Sequence, residues 1–302
     1  MDLKQIHYFI ALFEHGSVTR AAKRLNIVQP ALSMQIAKLE EELQQQLFER
    51  VPHGMAPTAA GRMMYRLFLP IVRDIDHARD QLVQRDEMGA GTIALGLIAS
   101  VTESVLADSL SRFNARYPQM EVTISDGYSA TLIDWVAGGQ LDVAIVNRPR
   151  ARMALLSELI LDEEMVLATG TAQGPVLPPT IELARLQELD LVLPSKRHGL
   201  RGVLDAAAQH ADVILHPKVE IDLLGTIVDF VAATRFATVL PRIAVQRALV
   251  NGSVLVTPIL APRIVRQIVR IHHPRRPLNR VTTALVEMIG AEIRRVSEAT
   301  MS

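Results

Sequence analysis

The chain has no cysteine among its 302 residues. That excludes disulfides, thiolate metal sites and cysteine nucleophiles, and it suits a reducing compartment, for which the expectation is cytoplasmic. It also lacks a charge excess. Thirty-two basic residues against 32 acidic ones leave a formal net charge of +0, so any footprint for nucleic acid has to be local. No apolar run reaches the roughly 18 residues that cross a bilayer, so no membrane span is expected. The opening MDLKQIHYFIAL has no basic run ahead of a long apolar core and does not read as a signal peptide. GxSxG, HExxH and GxxxxGK[ST] are missing, and the histidines do not cluster with carboxylates at ligand spacing. The sequence therefore nominates no catalytic residue, no metal and no cofactor, and the chain is not expected to be an enzyme.

What is present is a globular composition, 49% hydrophobic and 21% charged, in a chain long enough for two or three domains. The most informative stretch is Ser17 to Leu43, which reads as two short helices joined by a tight turn. Ser17 is a good N-cap, and Ala21, Ala22 and Leu25 share one side of the first helix. The second opens at Gln29-Pro30, where proline is tolerated, and carries Val28, Leu32, Ile36, Leu39 and Leu43 as one stripe to be buried.

Its opposite face holds Pro30, Ser33, Met34, Ala37 and Lys38, short or flexible side chains that let a helix sit close against another surface. The major groove of B-DNA admits one α-helix, whose N-terminal residues meet base edges; Gln29, Ser33 and Lys38 can donate there. On pattern alone, a helix-turn-helix and two packed helices of an ordinary helical domain both stay open. The acidic run Glu40-Glu42 reads as the exposed end of the second helix.

AAKRLNIVQPALSMQIAKLEEEL, followed by LFER and then PTAAG, resembles the N-terminal domain of LysR-type transcriptional regulators. Ala21-Ala22, Leu25, Gln29-Pro30-Ala31-Leu32-Ser33, Leu39-Glu40, Leu43, Phe48, Arg50, Pro57-Thr58 and Gly61 follow the family pattern, most closely that of its nitrogen-assimilation and cysteine-regulator branch. The resemblance implies a winged helix-turn-helix over 1–57, a linker and dimerisation helix over 58–88, and an α/β effector-binding domain over 92–302. The candidate DNA-contacting set is Thr19, Arg20, Gln29, Pro30, Ser33, Met34, Lys38, Arg50 and His53. The last two lie in a wing over Leu47 to Pro57, where family members often carry arginine or lysine in place of His53 and a leucine near Ala56. A wing arginine can equally be a solvated surface charge.

Thr58 should cap the long helix, whose Leu67, Ile71, Ile75, Ala78 and Leu82 form a stripe too extended to bury against so small a domain. The same helix of a second copy is its natural partner, and Pro70 should bend it. Gly89 and Gly91 precede a strand instead of following one, so they form a linker and no dinucleotide site.

From Thr92 strands and helices alternate, which implies a parallel sheet with helices on its faces. Strands are expected at TIALGLIAS, VTIS and LDVAIV. Helices are expected from a Ser100-x-x-Glu103 capping box, with Leu106, Leu110, Phe113 and Tyr117 on one face, and from Ser129 to Val136. A second unit is expected to place strands near 165–168, 189–193, 219–221, 237–240 and 254–257, and helices near 200–209, 224–233 and 242–249. A strand at 267–272 and a helix at 282–297 close the chain. The resemblance implies two subdomains similar to periplasmic binding proteins, 92–162 with 267–302 and 163–266, crossed near Asp162 and Arg266. Thr234-Arg235-Phe236 stands where the family usually has glycines, so Phe236 is expected to fill space in the pocket.

Ligands of open α/β sheets bind beyond the carboxyl ends of strands, where helix N-termini favour anions. Four junctions qualify, at 100–102, 129–131, 194–198 and 224–226. The candidate effector residues are Ser100, Thr102, Ser129, Asn147, Ser195, Lys196, His198, Arg201 and Thr226, with Lys196 and Arg201 placed to pair with a carboxylate or sulfate, which makes an anionic small molecule the expected effector. Each also has a plain reading: Ser100 and Ser129 as caps, the charged residues as surface. His272, His273, Arg275 and Arg276 read as a solvated loop.

The leading function is a sequence-specific regulator of promoter DNA whose binding or bending responds to a small molecule held between two subdomains. The resemblance implies a homodimer or homotetramer, with RNA polymerase as a further partner. A constitutive DNA-binding protein without effector is the alternative, and an enzyme on the α/β portion the remote one.

Overall fold

The computed structural model describes residues 1–83, 91–149 and 151–299. The chain forms two compact units, one mainly of Met1–Arg85, the other of Asp86–Ala137 with Leu141–Ser302.

The first unit packs α1 (Leu3–His15), α2 (Val18–Arg24) and α3 (Gln29–Leu43) around Phe9, Leu12, Leu32 and Leu39, all essentially inaccessible. Full burial of such side chains contributes about 1.5–3 kcal/mol each. A capping box of Asp2 and Gln5 starts α1, and Gly16, at φ 57°, ends it in the left-handed conformation a Cβ would strain. Ser17 caps α2 through the Arg20 N–H, and α3 begins at Gln29-Pro30. β1 (Phe48–Val51) and β2 (Gly54–Pro57) pair as the antiparallel hairpin expected for a wing.

Two details depart from the pattern. Val28 is 68% exposed, because it stands outside α3 as its N-cap, so the buried stripe starts at Leu32. Glu40 is not a free surface charge: its Oε1 accepts from the N–H groups of Leu47 and Phe48 and anchors the wing to α3.

Thr58 accepts from the Gly61 N–H and donates to the Gln46 carbonyl, starting α4 (Ala59–Val83). A Cβ at Gly61 would lie 2.2 Å from the Leu47 carbonyl oxygen, so only glycine lets α4 approach the wing this closely. One side of α4 buries Met64, Leu69 and Val72, and Tyr65 stacks on Phe13 at 3.9 Å. The other side exposes Met63, Leu67, Ile71 and Ile75. Pro70 lies within the helix without ending it. The Leu82 side chain and the glycine linker up to residue 90 lie outside the described residues.

The second unit is α/β. β3 (Gly91–Leu97) pairs in parallel with β4 (Met120–Asp126) and β5 (Val143–Asn147), and α5 (Ala99–Arg116) and α6 (Ser129–Ala137) connect them. The 15-residue β6 (Leu156–Gly170) then runs through both halves. Its first part pairs with β12 (Val265–His272), which continues the sheet from β5. Its last part pairs with β10 (Ala237–Pro241) and β11 (Val254–Leu260). Short β7 (Ile181–Glu182) extends β11, while β8 (Val192–Leu193) and β9 (Val219–Glu220) pair with each other. α7 (Gly199–His210), α8 (Leu224–Ala233) and α9 (Arg242–Val250) cover the second half, and α10 (Arg280–Ala299) returns to the first. Each half has its own apolar core. The two crossings are therefore continuous strands, with Glu163 in β6 and Arg266 in β12 register partners at the point of crossing.

Several local expectations change in this unit. Ser100 does not cap α5: the N-cap is Ile98, without a side-chain bond, and Ser100 lies inside the helix. The buried face of α5 is Val101, Val105, Ser109 and Phe113, with Leu106 and Leu110 only half-buried. His272 and Arg276 are not solvated. Both are buried, and Arg276 donates to the Val136 and Ala137 carbonyls that end α6. Glu292, also buried, accepts from Arg295 and Arg112, which together hold its carboxyl down at about 2.

Candidate nucleic-acid interface and effector cleft

In the first unit, the exposed face of α3 carries Gln29, Pro30, Ser33, Met34, Ala37 and Lys38. Thr19 and Arg20 of α2 are exposed as well, and Arg20 donates to the His15 carbonyl. No side chain caps α3; Pro30 has no N–H and Ala31 and Leu32 donate to the Val28 carbonyl, so the N–H left for an anionic partner such as phosphate is that of Gln29. Arg50 and His53 are exposed on the wing. Lys38 differs from the rest: it borders a groove with Asp2, Glu41 and Glu42, which place negative charge at the C-terminal end of α3.

In the second unit, a cavity of about 260 Å³ opens where β3, β4 and β5 end and α5, α6, α7 and α8 begin. Ser100, Glu103, Asp126, Tyr128, Ser129, Trp135, Asn147 and His198 are among the residues around it. Behind two of its lining residues, Ser100 and Asn147, lies a buried ion pair. Arg266 donates through Nε and Nη2 to Glu163 Oε2 at 2.8 and 2.5 Å, both side chains being fully inaccessible. Arg266 Nη1 also donates to Ser100 Oγ at 2.9 Å and Asn147 Oδ1 at 3.1 Å, and Glu163 Oε1 accepts from the Ile243 N–H. Both charges are thus paired and hydrogen-bonded, as burial requires.

Across the mouth, Tyr128 donates to Asp222 at 2.6 Å, and Asp222 also accepts from the N–H and hydroxyl of Ser195. These bonds hold the Asp222 carboxyl below the ordinary range, Tyr128 contributing most. Burial pushes the His198 imidazole below its ordinary value, and its Nδ1 accepts from the Leu200 N–H as the cap of α7. Glu103 is raised by partial desolvation and by the charge of Asp126.

Residues 3–62 match the family described as bacterial regulatory helix-turn-helix protein, lysR family, and residues 86–294 match LysR substrate binding domain. The chain belongs to the LysR family of transcriptional regulators. The nitrogen assimilation regulatory protein nac of Klebsiella aerogenes is 29% identical over 247 residues, covering 82% of this chain and 80% of that protein. OxyR of Escherichia coli, a DNA-binding transcriptional dual regulator, is 26% identical over 293 residues, 97% of this chain and 96% of that one. The nac match agrees with the branch expected from the motifs. Full-length OxyR of Pseudomonas aeruginosa, carrying a cysteine substitution, superposes with a TM-score of 0.79 at 23% identity over 99% of this chain and 97% of that one. CbnR bound to its target DNA gives 0.55 at 20% identity over 98% and 100%. This LysR-type protein is therefore a DNA-binding transcriptional regulator with an α/β effector-binding domain, not an enzyme.

Of the nominated effector residues, the regulator brings Ser100, Ser129, Asn147 and His198 to the cavity. Ser129 and Ser100 serve other partners than their own helices: Ser129 accepts from the Asn147 N–H, and Ser100 from Arg266. Thr102, Ser195, Lys196, Arg201 and Thr226 are not among the lining residues. Thr102 donates to Asp126, and Ser195 is spent on Asp222. Arg201 is buried and pairs with Asp205, Glu220 and the Pro194 carbonyl, so it cannot meet a ligand carboxylate. Lys196 and Thr226 are exposed. Phe236 also departs from expectation, packing on Phe230 at 5.0 Å within the core of the second half and leaving the cavity open.

Sequence reasoning missed Tyr128, Trp135, Glu163 and Asp222. Tyr128 directly precedes one nominated junction, Asp222 lies two residues before another and Glu163 adjoins a nominated crossing, but nothing in linear spacing reveals pairs separated by 94 and 103 residues.

Proposed function

We propose that this regulator binds interrupted palindromic promoter sites as a homodimer or homotetramer, and that a small molecule in the cleft between its α/β halves changes the DNA complex. The carrying observation for DNA reading is the exposed face of α3, small or flexible from Gln29 to Ala37, on a helix whose N-terminus no side chain caps. Gln29, Ser33 and Met34 meet base edges in this reading; Thr19, Arg20, Arg50 and His53 meet phosphates, and Lys38 lies at the periphery.

Self-association is supported by the apolar side of α4. Met63, Leu67, Ile71 and Ile75 recur every fourth residue and are 41–56% exposed, a seam that a second copy of the helix would cover. Two-fold pairing would present two α3 helices to two half-sites. The cavity at the strand ends, with no enzymatic constellation around it, supports a ligand that biases one arrangement of the two halves. RNA polymerase as a further partner and a cytoplasmic location follow from the role; no described helix is long and apolar enough to cross a membrane. Hydrogen peroxide, named for the OxyR relatives, fits poorly, because a chain without cysteine has no thiol to oxidise.

The test is capture of genomic fragments by the purified chain at physiological salt with competitor DNA. Enrichment of a few sites sharing an interrupted palindrome is expected. Uniform recovery of fragments would reduce the protein to a non-specific binder.

A further inference from the structure

The chemistry of the cleft divides into two sides. One side presents donors, and Arg266 is the reason. A guanidinium can only donate, so Asn147 has to turn its Oδ1 toward Arg266, which directs its NH2 elsewhere. Ser100 likewise accepts from Arg266 and keeps its hydroxyl proton for another partner. Asn147 is 6% exposed and lines the cavity, and its Nδ2 meets no hydrogen-bond acceptor among the described residues. On the wall of the cavity, that amide can donate to a ligand group that accepts from it. His198 adds to this side: its Nδ1 accepts from Leu200, so the neutral ring carries its proton on Nε2.

The other side presents acceptors. Glu103, Asp126 and Asp222 line the cavity, and among the described residues no lysine or arginine lines it. Asp222 is occupied by Tyr128 and Ser195, and Glu103 faces the Gly225 N–H that opens α8. Asp126 accepts one bond, from Thr102 to Oδ1, and its second oxygen is open. The neighbouring cations are otherwise placed. Arg266 is neutralised by Glu163 behind Ser100 and Asn147, while Arg197, near Tyr128, and Arg247, near Glu103, stay outside the lining. The aromatic rings of Tyr128 and Trp135 complete the wall, and such rings favour a cation.

We propose that the effector is a small amino acid, its ammonium group on Asp126 in the field of Asp222 and Glu103 and its carboxyl oxygens on the Asn147 amide and Ser100 hydroxyl. This deepens the proposed function, resting on the same cleft, and replaces a simple anion by a zwitterion. The volume, about 260 Å³, suits a ligand of that size and is below the roughly 300–1,000 Å³ of pockets for larger ligands.

Trp135 is the chain's single tryptophan and lines the cavity, so intrinsic fluorescence reports on it directly. The experiment titrates the full-length protein with each standard amino acid and with the matching carboxylic acid that lacks the amine, calorimetry running in parallel. Saturable binding of at least one amino acid is expected, with its des-amino counterpart at least about tenfold weaker. Asp126→Asn should weaken that amino acid by a similar factor. Equal binding of the des-amino acids, or an unaffected Asp126→Asn variant, would overturn the amino-acid assignment and leave an effector cleft of different chemistry. No heat and no fluorescence change with any compound up to about 10 mM, together with unaltered DNA binding, would overturn both.

Discussion

Tyr128 and Asp222 are joined by a 2.6 Å hydrogen bond that spans the cleft, from the residue preceding α6 in one half of the α/β unit to the second residue before α8 in the other. The bond stabilises the ionised carboxylate and raises the tyrosine above its ordinary range. It is a direct tie between the two halves whose relative arrangement a ligand would bias.

Tyr128→Phe removes that tie without removing the ring. Because the folded-state pKa of Asp222 is lowered, its contribution to stability is present above the ordinary carboxylate value of about 3.9 and is lost as pH falls through the folded value. The variant should therefore show a higher Asp222 pKa by carboxyl NMR, and its acid unfolding should begin at higher pH. An unchanged Asp222 titration would mean the bond is absent in solution.

Glu163 and Arg266 predict a strongly non-additive pair. Glu163→Gln alone leaves a guanidinium buried without its counter-charge and should cost about 3–5 kcal/mol in urea unfolding. Glu163→Leu combined with Arg266→Met removes both charges, so it should be less damaging than Arg266→Met alone. Additive losses in this double-mutant cycle would show that the pair is not coupled.

Ser33→Arg places a long side chain on the exposed centre of α3. Specific DNA binding should be lost in a gel-shift assay, with the oligomeric state by light scattering unchanged. Retained affinity for a captured site would remove Ser33 from the interface.

Arg50→Ala should act differently, weakening all sequences alike and reducing the slope of log K against log salt by about one unit. Discrimination lost at a single base pair would show instead that Arg50 reads sequence from the wing.

Leu67→Asp with Ile71→Asp puts two charges on the exposed seam of α4. Sedimentation should show monomers, and circular dichroism should stay unchanged because neither side chain belongs to the buried face of that helix. An intact oligomer would place the interface elsewhere.

The DNA-reading unit was legible in the sequence because its signals are local. Ser17 as a cap, Pro30 in the first turn of α3, and the period of Leu32, Ile36 and Leu39 each act within one helix or one turn. Most of the order of strands and helices beyond residue 91 was legible for the same reason, down to the bounds of α8, while β7 and the first part of β6 were not.

What failed at close range failed because a distant partner won. Ser100 and Ser129 have the chemistry of caps, but Arg266 and the Asn147 N–H claim their oxygens. Arg201 reads as a free cation until Glu220 is folded beside it, and Phe236 reads as a pocket plug until Phe230 gives it a core to join.

By itself, then, the sequence determined the family, the helix proposed to face DNA, the apolar seam on α4 and most of the succession of the α/β elements, because periodicity, caps and turns are encoded over a few residues. Only the tertiary structure decided the cleft: which hydroxyls are free, which cations are already paired, and that carboxylates from β4, α5 and the approach to α8 converge on one cavity. Those properties depend on pairings across about a hundred residues of chain, such as Glu163 with Arg266 and Tyr128 with Asp222, and no local pattern specifies which of several plausible partners a buried polar group will meet.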